Sequence, residues 1–520
     1  MTGLAIAGPA VSAGDREAVD DRRFACLAVL VFLLLGLISV LAHEMWLDEL
    51  QAWMIARDST SLAELFRNLR YEGHPALWYL ILYALSRITR DPLAMQFAHL
   101  LLAAGTAYVV VRYAPFTRLQ RLLLVFGYFP FYEYATISRN YAAGVLLIVI
   151  LCSVFPARRR HYLLIGALLA LLGQTSVFGL IIALSFALAL AVDAVLEPDL
   201  RVAVVRRPAA AVAAVVLLAA AVTISVAQMM PPADTHVPLR TQVNAKRLLR
   251  VAETVWNSHV PIPEPQLHFW ETNVLPGRPV RAALSGIVLG VAPLLLIRYP
   301  RTMVLYAGGT LGLLAFFYVV LTGSLRHHGH LFIVFVASLW LSRYERAVSG
   351  PTWARTVGRL VDRYRGTLVT SVLAIHVVAA AVATGIDWAA PFSPSRDVAR
   401  FIQQAGLSDK FLFGDRYPAA VGGYLDRRMY YPRQDRMGSF MILRKRGLRL
   451  PQMSMLEKAE RIATDERGEV VVVLSYAPVS TPCSFQELRR FGPSVISKGE
   501  YRVYRVDREA AERRRASGRC

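Results

Sequence analysis

Charged side chains are scarce in this chain. Only 18% of its 520 residues are Asp, Glu, Lys or Arg, whereas 55% are hydrophobic, and the mean hydropathy is +0.41. This composition is too apolar for a water-soluble protein of this length. It indicates an integral membrane protein whose solvent is the lipid bilayer.

Acidic residues are fewer than basic ones, 37 against 58, which gives a formal charge of +21. A nucleic-acid-binding surface would gather the basic residues on one face. Here the arginines recur in short loops between apolar stretches, at residues 158–160, 206–207 and 298–301. That distribution is typical of cytoplasmic loops. We therefore expect membrane lipids, and no nucleic acid, among the partners.

Cysteine is also rare. Cys26 and Cys152 fall within apolar stretches, and Cys483 and Cys520 lie near the C-terminus without the spacing of metal ligands. These four residues predict neither a zinc site nor a disulfide scaffold. No small-residue cleavage site follows the first apolar stretch, so we expect a retained helix preceded by a cytoplasmic segment, residues 1–23.

Eleven apolar stretches are long enough to cross a hydrocarbon core of roughly 30 Å. A twelfth, residues 75–85, is shorter and is followed by Arg87 and Arg90. If it crossed, every later basic loop would face outward, so we interpret it as an interfacial or half-inserted helix. The eleven stretches begin near Phe24, Pro92, Leu119, Asn140, Tyr162, Ser176, Pro208, Arg281, Thr302, Gly329 and Thr367.

The predicted fold class is a mainly α polytopic membrane protein with a small extracytoplasmic α/β domain at its C-terminus. Residues 24–386 would form the membrane domain and residues 387–520 the outer domain, which ends in a solvated basic tail around residues 513–515. Strand-like runs at residues 411–413, 470–475 and 501–506 indicate the α/β character of the outer domain.

Two outer loops of the membrane domain carry further patterns. Residues 44–91 form the first outer loop, in which Ser61 and Glu64 form a capping box for an amphipathic interfacial helix. Residues 229–280 form a larger outer loop with a helical stretch marked by Leu248, Val251 and Val255, and it is a candidate lid over a cavity.

Two adjacent acidic residues, Asp48 and Glu49, stand a few residues past the outer end of the first span. Acids favour helix N-termini by about 0.3–1 kcal/mol, so an ordinary helix start would account for them. A catalytic carboxylate held at the membrane surface would account for them equally well. Position alone does not separate the two.

The order of motifs along the chain resembles a known family. The Asp48-Glu49 pair is followed by an amphipathic helix, by a Gly-His-Pro sequence that contains His74, by two spans, and by Arg139-Asn140-Tyr141. This order is similar to that of the GT-C glycosyltransferases, above all bacterial enzymes related to the protein O-mannosyltransferases and the lipid A aminoarabinose transferase. The motifs cover about the first 190 residues of the chain.

The resemblance implies transfer of a hexose or pentose from a polyprenyl-phosphate-linked donor to a lipid, glycan or protein acceptor on the outer face of the inner, or plasma, membrane. The chain also lacks a P-loop and the Asp-x-Asp motif of enzymes that use nucleotide sugars. Nucleotide sugars are absent outside the membrane, so a lipid-linked donor agrees with outer polar clusters.

The resemblance also implies roles for particular residues. Asp48 matches the family's acidic residue and is expected to be the general base, while Glu49 positions the acceptor or holds the loop. Arg139 and His74 are expected to bind the donor phosphate, whose negative charge grows as it leaves. The short loop with Arg326 and His327 is expected to supply further phosphate ligands.

Glu133 and Tyr141 are expected to position substrate. Some relatives have a second acidic residue where this chain has Ser138 and Arg139, so we assign no metal ligand and no certain cofactor, although a divalent metal on the histidines of residues 327–330 stays open. Simpler structural roles stay open as well: Arg139 as a lipid-facing anchor, His74 as a helix cap, and the tryptophans at loop ends as an aromatic belt.

Three other functions remain. A secondary transporter would use ionisable residues within the spans, chiefly His99, Asp193 and His376. A ligase or polymerase of lipid-linked glycans would depend on the large outer loop. A binding module on a membrane anchor would account for the outer domain but not for Asp48.

Overall fold

The computed structural model describes residues 13–235, 239–348, 352–442, 451–465, 469–496 and 500–518. A π-helical segment, Tyr128–Thr136, and a 3-10 turn, Phe155–Ala157, accompany the α-helices of the membrane domain. Those helices are α1 (Ala13–Ala42), α2 (Leu47–Asp58), α3 (Leu62–Leu69), α4 (Leu77–Ser86), α5 (Leu93–Tyr113), α6 (Arg118–Val125), α7 (Tyr141–Val154), α8 (Arg158–Gly173), α9 (Val177–Leu196), α10 (Pro198–Arg206), α11 (Pro208–Met229), α12 (Ala245–His259), α13 (Arg278–Leu294), α14 (Pro300–Val319), α15 (Leu325–Leu341) and α16 (Thr352–Ala389).

Seven stretches of the described chain are long and apolar enough to cross a membrane. One of them, Tyr141–Gly173, is a hairpin of α7 and α8, because the Asn140 side chain donates a hydrogen bond to the Thr175 carbonyl at 2.7 Å. Three further segments that the sequence predicted to be spans, α6 with the π-helical segment, α13 and α15, are shorter or broken and are not among these seven. The seven stretches agree with a polytopic membrane protein, and the count of eleven spans stays a prediction.

The loops predicted to be cytoplasmic collect at one end of the bundle. Arg118 pairs with Asp20 of the N-terminal segment at 2.5 Å. Arg301 pairs with Asp193 at 2.7 Å, and Asp193 also accepts a hydrogen bond from Arg158. Ion pairs and hydrogen bonds between loops far apart in sequence place these basic loops on the same side of the membrane.

Short helices fill the first outer loop at the opposite end. The ten residues of α4 span about 15 Å at 1.5 Å per residue, which is half of a hydrocarbon core. The apolar stretch at residues 75–85 is therefore too short to cross, as predicted. Helix α3 begins at the predicted cap, since Ser61 Oγ accepts the Glu64 N–H at 3.2 Å.

The C-terminal domain is built on a six-stranded mixed sheet of order β3-β2-β1-β4-β6-β5. Strands β2 and β4 flank β1 and run parallel to it, and the remaining pairs are antiparallel. The elements are β1 (Phe411–Gly414), β2 (Met429–Tyr431), β3 (Arg436–Gly438), β4 (Val470–Leu474), β5 (Phe485–Phe491) and β6 (Tyr501–Val506), with α17 (Ser395–Gln404), α18 (Ala419–Leu425), α19 (Gln452–Asp465) and α20 (Arg508–Ser517).

Helices cover both faces of this sheet. Leu412 and Val471 belong to the same core as Val398 of α17 and Val421 of α18, whereas Phe413 and the alternate residues of β4 pack with α19 and α20. All residues of β4 are buried, as expected for a strand buried on both faces. The α/β prediction is confirmed, although β2, β3 and β5 were not predicted.

Two features of this domain differ from expectation. The basic run at residues 513–515 forms the last turns of α20, where Arg514 pairs with Glu460 of α19 at 2.5 Å, while Arg513 and Arg515 stay exposed as expected of a solvated run. Cys26 and Cys152 are free thiols, but Cys483 is disulfide-bonded. A disulfide is typical of domains outside the cytoplasm.

Candidate active site

A cavity of about 1010 Å³ opens at the end of the bundle opposite the basic loops. The first outer loop, the large outer loop and the C-terminal domain all contribute to its lining. Five of the residues predicted for the site line this one cavity: Asp48, His74, Arg139, Arg326 and His327.

Asp48 lies in the first turn of α2, between two guanidinium groups. Its Oδ2 is 3.0 Å from Arg326 Nη2 and 4.0 Å from Arg139 Nη1. Arg139 Nη1 also donates to the Asp48 backbone carbonyl. The Asp48 side chain remains 21% exposed, so the carboxylate is held in place and is accessible from the cavity.

The Arg139 side chain is only 13% exposed. Its backbone N–H donates to His99 Nε2 at 3.2 Å, inside the bundle. A lipid-facing anchor would instead extend its guanidinium to the headgroups. The interpretation of Arg139 as an interfacial anchor is therefore wrong.

Arg326 is held by aromatic rings as well as by carboxylates. Its guanidinium carbon lies 5.4 Å from the centre of the Trp46 ring and 5.1 Å from that of Trp270, and Nη1 is 3.3 Å from a carboxylate oxygen of Glu271. Cation–π contacts of this kind contribute about 0.5–2 kcal/mol each. They orient the guanidinium toward Asp48.

The sequence left a lipid-facing aromatic belt open for the tryptophans at loop ends, and the structure does not place Trp46 in one. Its side chain is buried within the protein, with 8% of its surface exposed, and its ring meets that of Trp270 edge-on at 5.1 Å. Trp53 and Trp78 are also buried. A belt residue would keep its polar edge at the headgroups.

Glu49 has a different environment from its neighbour Asp48. It is fully buried, and its carboxylate accepts hydrogen bonds from the backbone N–H of Ser138 at 2.7 Å and of Trp46 at 3.1 Å. These bonds tie the start of α2 to the loop that carries Arg139. The geometry suits the loop-holding role that the sequence left open for Glu49.

His43 connects this loop to the end of α16. Its Nδ1 lies 2.9 Å from Asp387 Oδ2 and its Nε2 lies 3.1 Å from Glu49 Oε2. Because an ionised carboxylate only accepts hydrogen bonds, both ring nitrogens must carry protons. Burial opposes the charge on His43, but the two carboxylates raise its pKa to about 10.

Glu133 and Tyr141 do not line the cavity and lie behind it. Glu133 is buried, and its Oε1 accepts hydrogen bonds from Trp270 Nε1 and from the Tyr128 hydroxyl, both at 2.9 Å. Tyr141 is buried with its ring edge-on to His327 at 5.7 Å. Both residues support the groups that face the cavity.

The histidines of residues 327–330 point to different partners. His327 Nδ1 accepts the Ser324 N–H at 2.8 Å and so caps α15, while His328 Nε2 and His330 Nδ1 are hydrogen-bonded to the backbone carbonyls of Thr322 and His327. Among the described residues, no group of three His, Cys, Asp or Glu side chains is arranged to hold a metal ion.

Sequence reasoning missed several residues of the site. His43 and Asp387 are 344 positions apart, so no local pattern links them. Arg416 and Arg433 of the C-terminal domain line the cavity, and nothing in their neighbourhood distinguishes them from the other arginines of that domain. Trp46 offered one signal, since it is an aromatic residue two positions before Asp48, whereas Trp270 has no assigned site residue near it in the sequence.

No protein-family model matches the sequence, and no curated protein matches it either. Solved structures do match. A crystal structure of ArnT from Cupriavidus metallidurans bound to undecaprenyl phosphate has a TM-score of 0.50 and 12% sequence identity, with 92% of this chain and 97% of that chain covered. The apo structure of the same protein has a TM-score of 0.51 and 13% identity, with 96% and 99% covered.

This chain has the GT-C fold. The match reaches across both the membrane domain and the C-terminal domain, since it covers 96% of the chain. The resemblance in sequence motifs reached only the first 190 residues or so. At 12–13% identity, the likeness concerns the architecture, and the chemistry must be argued from the site itself.

Proposed function

We propose that this protein is a glycosyltransferase that moves a sugar from a polyprenyl-phosphate-linked donor to an acceptor at the outer face of the membrane. The observation that carries the proposal is the Asp48 carboxylate between the guanidinium groups of Arg326 and Arg139, in a cavity of about 1010 Å³. That site contains one base and two groups that bind phosphate.

The reaction uses these groups in complementary ways. Asp48 removes the proton from the acceptor hydroxyl, whose oxygen forms a bond to the anomeric carbon of the donor sugar. The bond between that carbon and the phosphate oxygen breaks, and the polyprenyl phosphate leaves with the electron pair. General-base catalysis of this kind contributes about 10²- to 10⁴-fold. Arg139 and Arg326 stabilise the charge that develops on the leaving phosphate.

Donor binding would also prepare the base. Arg326 binds the Asp48 carboxylate at 3.0 Å in the ligand-free site. A phosphate binds a guanidinium through two parallel hydrogen bonds, as a carboxylate can, and Trp46 and Trp270 already orient the guanidinium of Arg326. When the donor phosphate takes that place, Asp48 loses a cation partner and becomes free to accept a proton.

The GT-C architecture and the ligand of the ArnT crystal structure, undecaprenyl phosphate, support the choice of donor. The ionisable residues that a transporter would use are engaged elsewhere. His99 lies 3.2 Å from the Ala135 carbonyl, Asp193 is paired with Arg158 and Arg301, and the His376 ring stacks on Phe332 at 3.9 Å. The polar chemistry gathers instead around Asp48.

We place the protein in the inner, or plasma, membrane, with the basic end of the bundle in the cytoplasm and the C-terminal domain outside. The positive-inside rule supports this orientation, as does the disulfide at Cys483. The cavity then faces the compartment in which nucleotide sugars are absent.

The proposal is tested by sugar transfer with the purified protein in lipid. Radiolabelled sugars on polyprenyl phosphate are supplied together with a membrane extract as the source of acceptor. Wild type is compared with Asp48→Asn and with Asp91→Asn, an exposed carboxyl of the same outer loop that does not line the cavity. We expect Asp48→Asn to lose at least about 100-fold in rate while it still binds undecaprenyl phosphate.

The control variant Asp91→Asn should transfer at the wild-type rate. Undiminished transfer by Asp48→Asn would show that the base is another group. If wild type transfers no sugar from any donor and binds no undecaprenyl phosphate, the proposed function is wrong.

A further inference from the structure

The C-terminal domain contributes a distinct wall to the cavity. Four residues of this wall follow parallel strands: Arg416 and Tyr417 after β1, and Arg433 and Gln434 after β2. Parallel strands end at the same edge of a sheet, so this wall is the carboxyl edge of the sheet. We call these four residues the sheet-edge wall.

The chain reverses direction at this edge. From β1 it passes through α18 to β2 on one side, while β4 lies on the other side of β1 and is reached through α19. Helices α18 and α19 pack on opposite faces of the sheet. In open α/β sheets, ligands bind in the crevice at the carboxyl ends of the strands where the order reverses. Here that crevice lies at the ends of β1 and β4.

Asp415 and Ser475 mark the crevice, since they follow β1 and β4 directly. The Ser475 hydroxyl donates to Asp415 Oδ2 at 2.7 Å, while Asp415 Oδ1 is buried and has no hydrogen-bond partner. Burial raises the pKa of Asp415 to about 6 although Arg433 opposes the rise. A buried carboxyl with an unpartnered oxygen, next to a cavity, marks a candidate binding site.

The arginines of the sheet-edge wall differ from those around Asp48. Among the described residues, neither Arg416 nor Arg433 forms an ion pair, and Arg433 Nε is buried without a hydrogen-bond partner. Arg416 lies over the ring of Tyr417, with its guanidinium carbon 5.8 Å from the ring centre. Guanidinium groups that face a cavity and are not held in an ion pair are suited to bidentate binding of phosphate or carboxylate.

The cavity is lined both by the groups around Asp48 and by the sheet-edge wall. At about 1010 Å³, it is as large as the largest sites for single drug-sized ligands, which range from about 300 to 1,000 Å³. A donor phosphate at Arg139 and Arg326 would leave the sheet-edge wall free.

We propose that the sheet-edge wall is the acceptor subsite and that it selects an acceptor sugar carrying an anionic group, a phosphate or a carboxylate. This inference rests on the proposed function, because it assigns to the acceptor the part of the cavity that the donor does not use. Arg416 and Arg433 bind the anionic group, and Asp415 is a positioning residue that holds the edge beside Arg433.

Binding of small probes to the full chain in zwitterionic lipid nanodiscs tests the assignment. Undecaprenyl phosphate is first added to saturation, so that the guanidinium groups beside Asp48 are occupied. Glucose 1-phosphate, glucuronate, methyl glucoside and inorganic phosphate are then titrated, and binding is measured by saturation-transfer NMR. We expect both anionic sugars to bind in the presence of the lipid, and methyl glucoside and inorganic phosphate to bind at least about tenfold more weakly.

The double variant Arg416→Gln with Arg433→Gln should weaken the binding of glucose 1-phosphate by about tenfold or more and leave that of undecaprenyl phosphate unchanged. Arg428→Gln is the matched control, since Arg428 is an exposed arginine of the same domain that does not line the cavity. It should bind both ligands as wild type does. Thermal unfolding checks that all variants are folded.

Three results would overturn the subsite: displacement of glucose 1-phosphate by undecaprenyl phosphate, wild-type affinity in the double variant, or equal binding of methyl glucoside. Failure of the proposed function gives a different result, namely no binding of undecaprenyl phosphate and no transfer of sugar.

Discussion

The cavity has two sides whose charges are arranged differently. On the membrane-domain side, Asp48, Arg326 and Glu271 are joined by ion pairs of 3.0 and 3.3 Å. On the C-terminal side, Arg416 and Arg433 face the cavity with no ion pair among the described residues. A paired group is held in position before the substrate arrives and must exchange partners. An unpaired group is available at once, and the comparison assigns chemistry to the first side and recognition to the second.

The largest expected effect comes from the membrane-domain side of the cavity, the paired side, where Arg326 forms ion pairs with Asp48 and Glu271. Arg326→Gln removes a donor to the leaving phosphate and leaves the carboxylates of Asp48 and Glu271 without their cation. Loss of one such stabilising group typically lowers kcat by about 10²- to 10³-fold, and we expect that loss in the transfer assay. Arg326→Lys should recover little of it, because an ammonium group cannot bind phosphate through a planar fork. A wild-type kcat in Arg326→Gln would show that Arg326 takes no part in the reaction.

His43 supports the paired side through its contacts with Glu49 and Asp387. Its substitution should have the largest effect on stability. His43→Gln leaves the carboxylates of Glu49 and Asp387 close together without a cation, and breaking a buried pair of this kind costs about 3–5 kcal/mol. A fall in Tm of several degrees at pH 7, measured by thermal unfolding in detergent, is expected. An unchanged Tm would show that the contacts of His43 with Glu49 and Asp387 do not stabilise the fold.

The raised pKa of His43 predicts that the stability of the fold depends on pH. The pKa of His43 is raised from 6.5 to about 10, so the folded state keeps its proton while the unfolded state loses it above pH 6.5. The stabilisation is complete below that pH and is lost as the pH rises toward 10. The Tm of wild type should therefore fall between pH 7 and pH 10 more steeply than that of His43→Gln. Equal slopes of Tm against pH in the two proteins would contradict a protonated His43 in the folded state.

A substitution at Trp270 tests how the Arg326 guanidinium is oriented. We expect an effect of intermediate size. Trp270→Phe keeps an aromatic ring beside Arg326 but removes the N–H that Glu133 accepts at 2.9 Å. We expect kcat to fall by about tenfold, because the ring loses its anchor and the cation–π contact of about 0.5–2 kcal/mol weakens. Trp388→Phe, at an exposed tryptophan, is the control, and an equal fall in both variants would show a general effect of tryptophan loss.

The attachment of the C-terminal domain should give the smallest effect. Asp426 pairs with Arg90 at 2.6 Å and with Arg57 at 2.9 Å, but its own side chain is 39% exposed. The pair with Arg90 is exposed, and exposed pairs contribute about 0–1 kcal/mol. Arg57 is buried but keeps Asp58 as a partner at 2.6 Å, so Asp426→Asn should change Tm only slightly and leave transfer intact. A large loss of transfer would show that the position of the sheet-edge wall depends on this contact.

Much of this fold follows from local patterns in the sequence. Apolar stretches predict the spans, the arginines between them predict which loops share a side, and Ser61 predicts the start of α3, because each signal acts over a few residues. The short strands β2 and β3, with three residues each, carry too few residues to show alternation. Their pairing is decided by the neighbouring strand.

The site was predictable only on its membrane-domain side. Asp48, His74 and Arg139 carried motifs, and Arg326 and His327 stood in an unusual cluster. The supporting contacts join distant parts of the chain, as when Gln51 Nε2 donates to the Met441 carbonyl at 2.6 Å. Packing of the C-terminal domain on the membrane domain creates these contacts, so nothing local to either segment indicates them.

The most direct test is a structure of the protein with undecaprenyl phosphate bound. We predict that the phosphate lies between Arg326 and Arg139, that Asp48 has moved away from Arg326 Nη2, and that Arg416 and Arg433 remain open to the cavity. A phosphate bound at Arg416 and Arg433, with the Asp48–Arg326 pair still intact, would contradict the account.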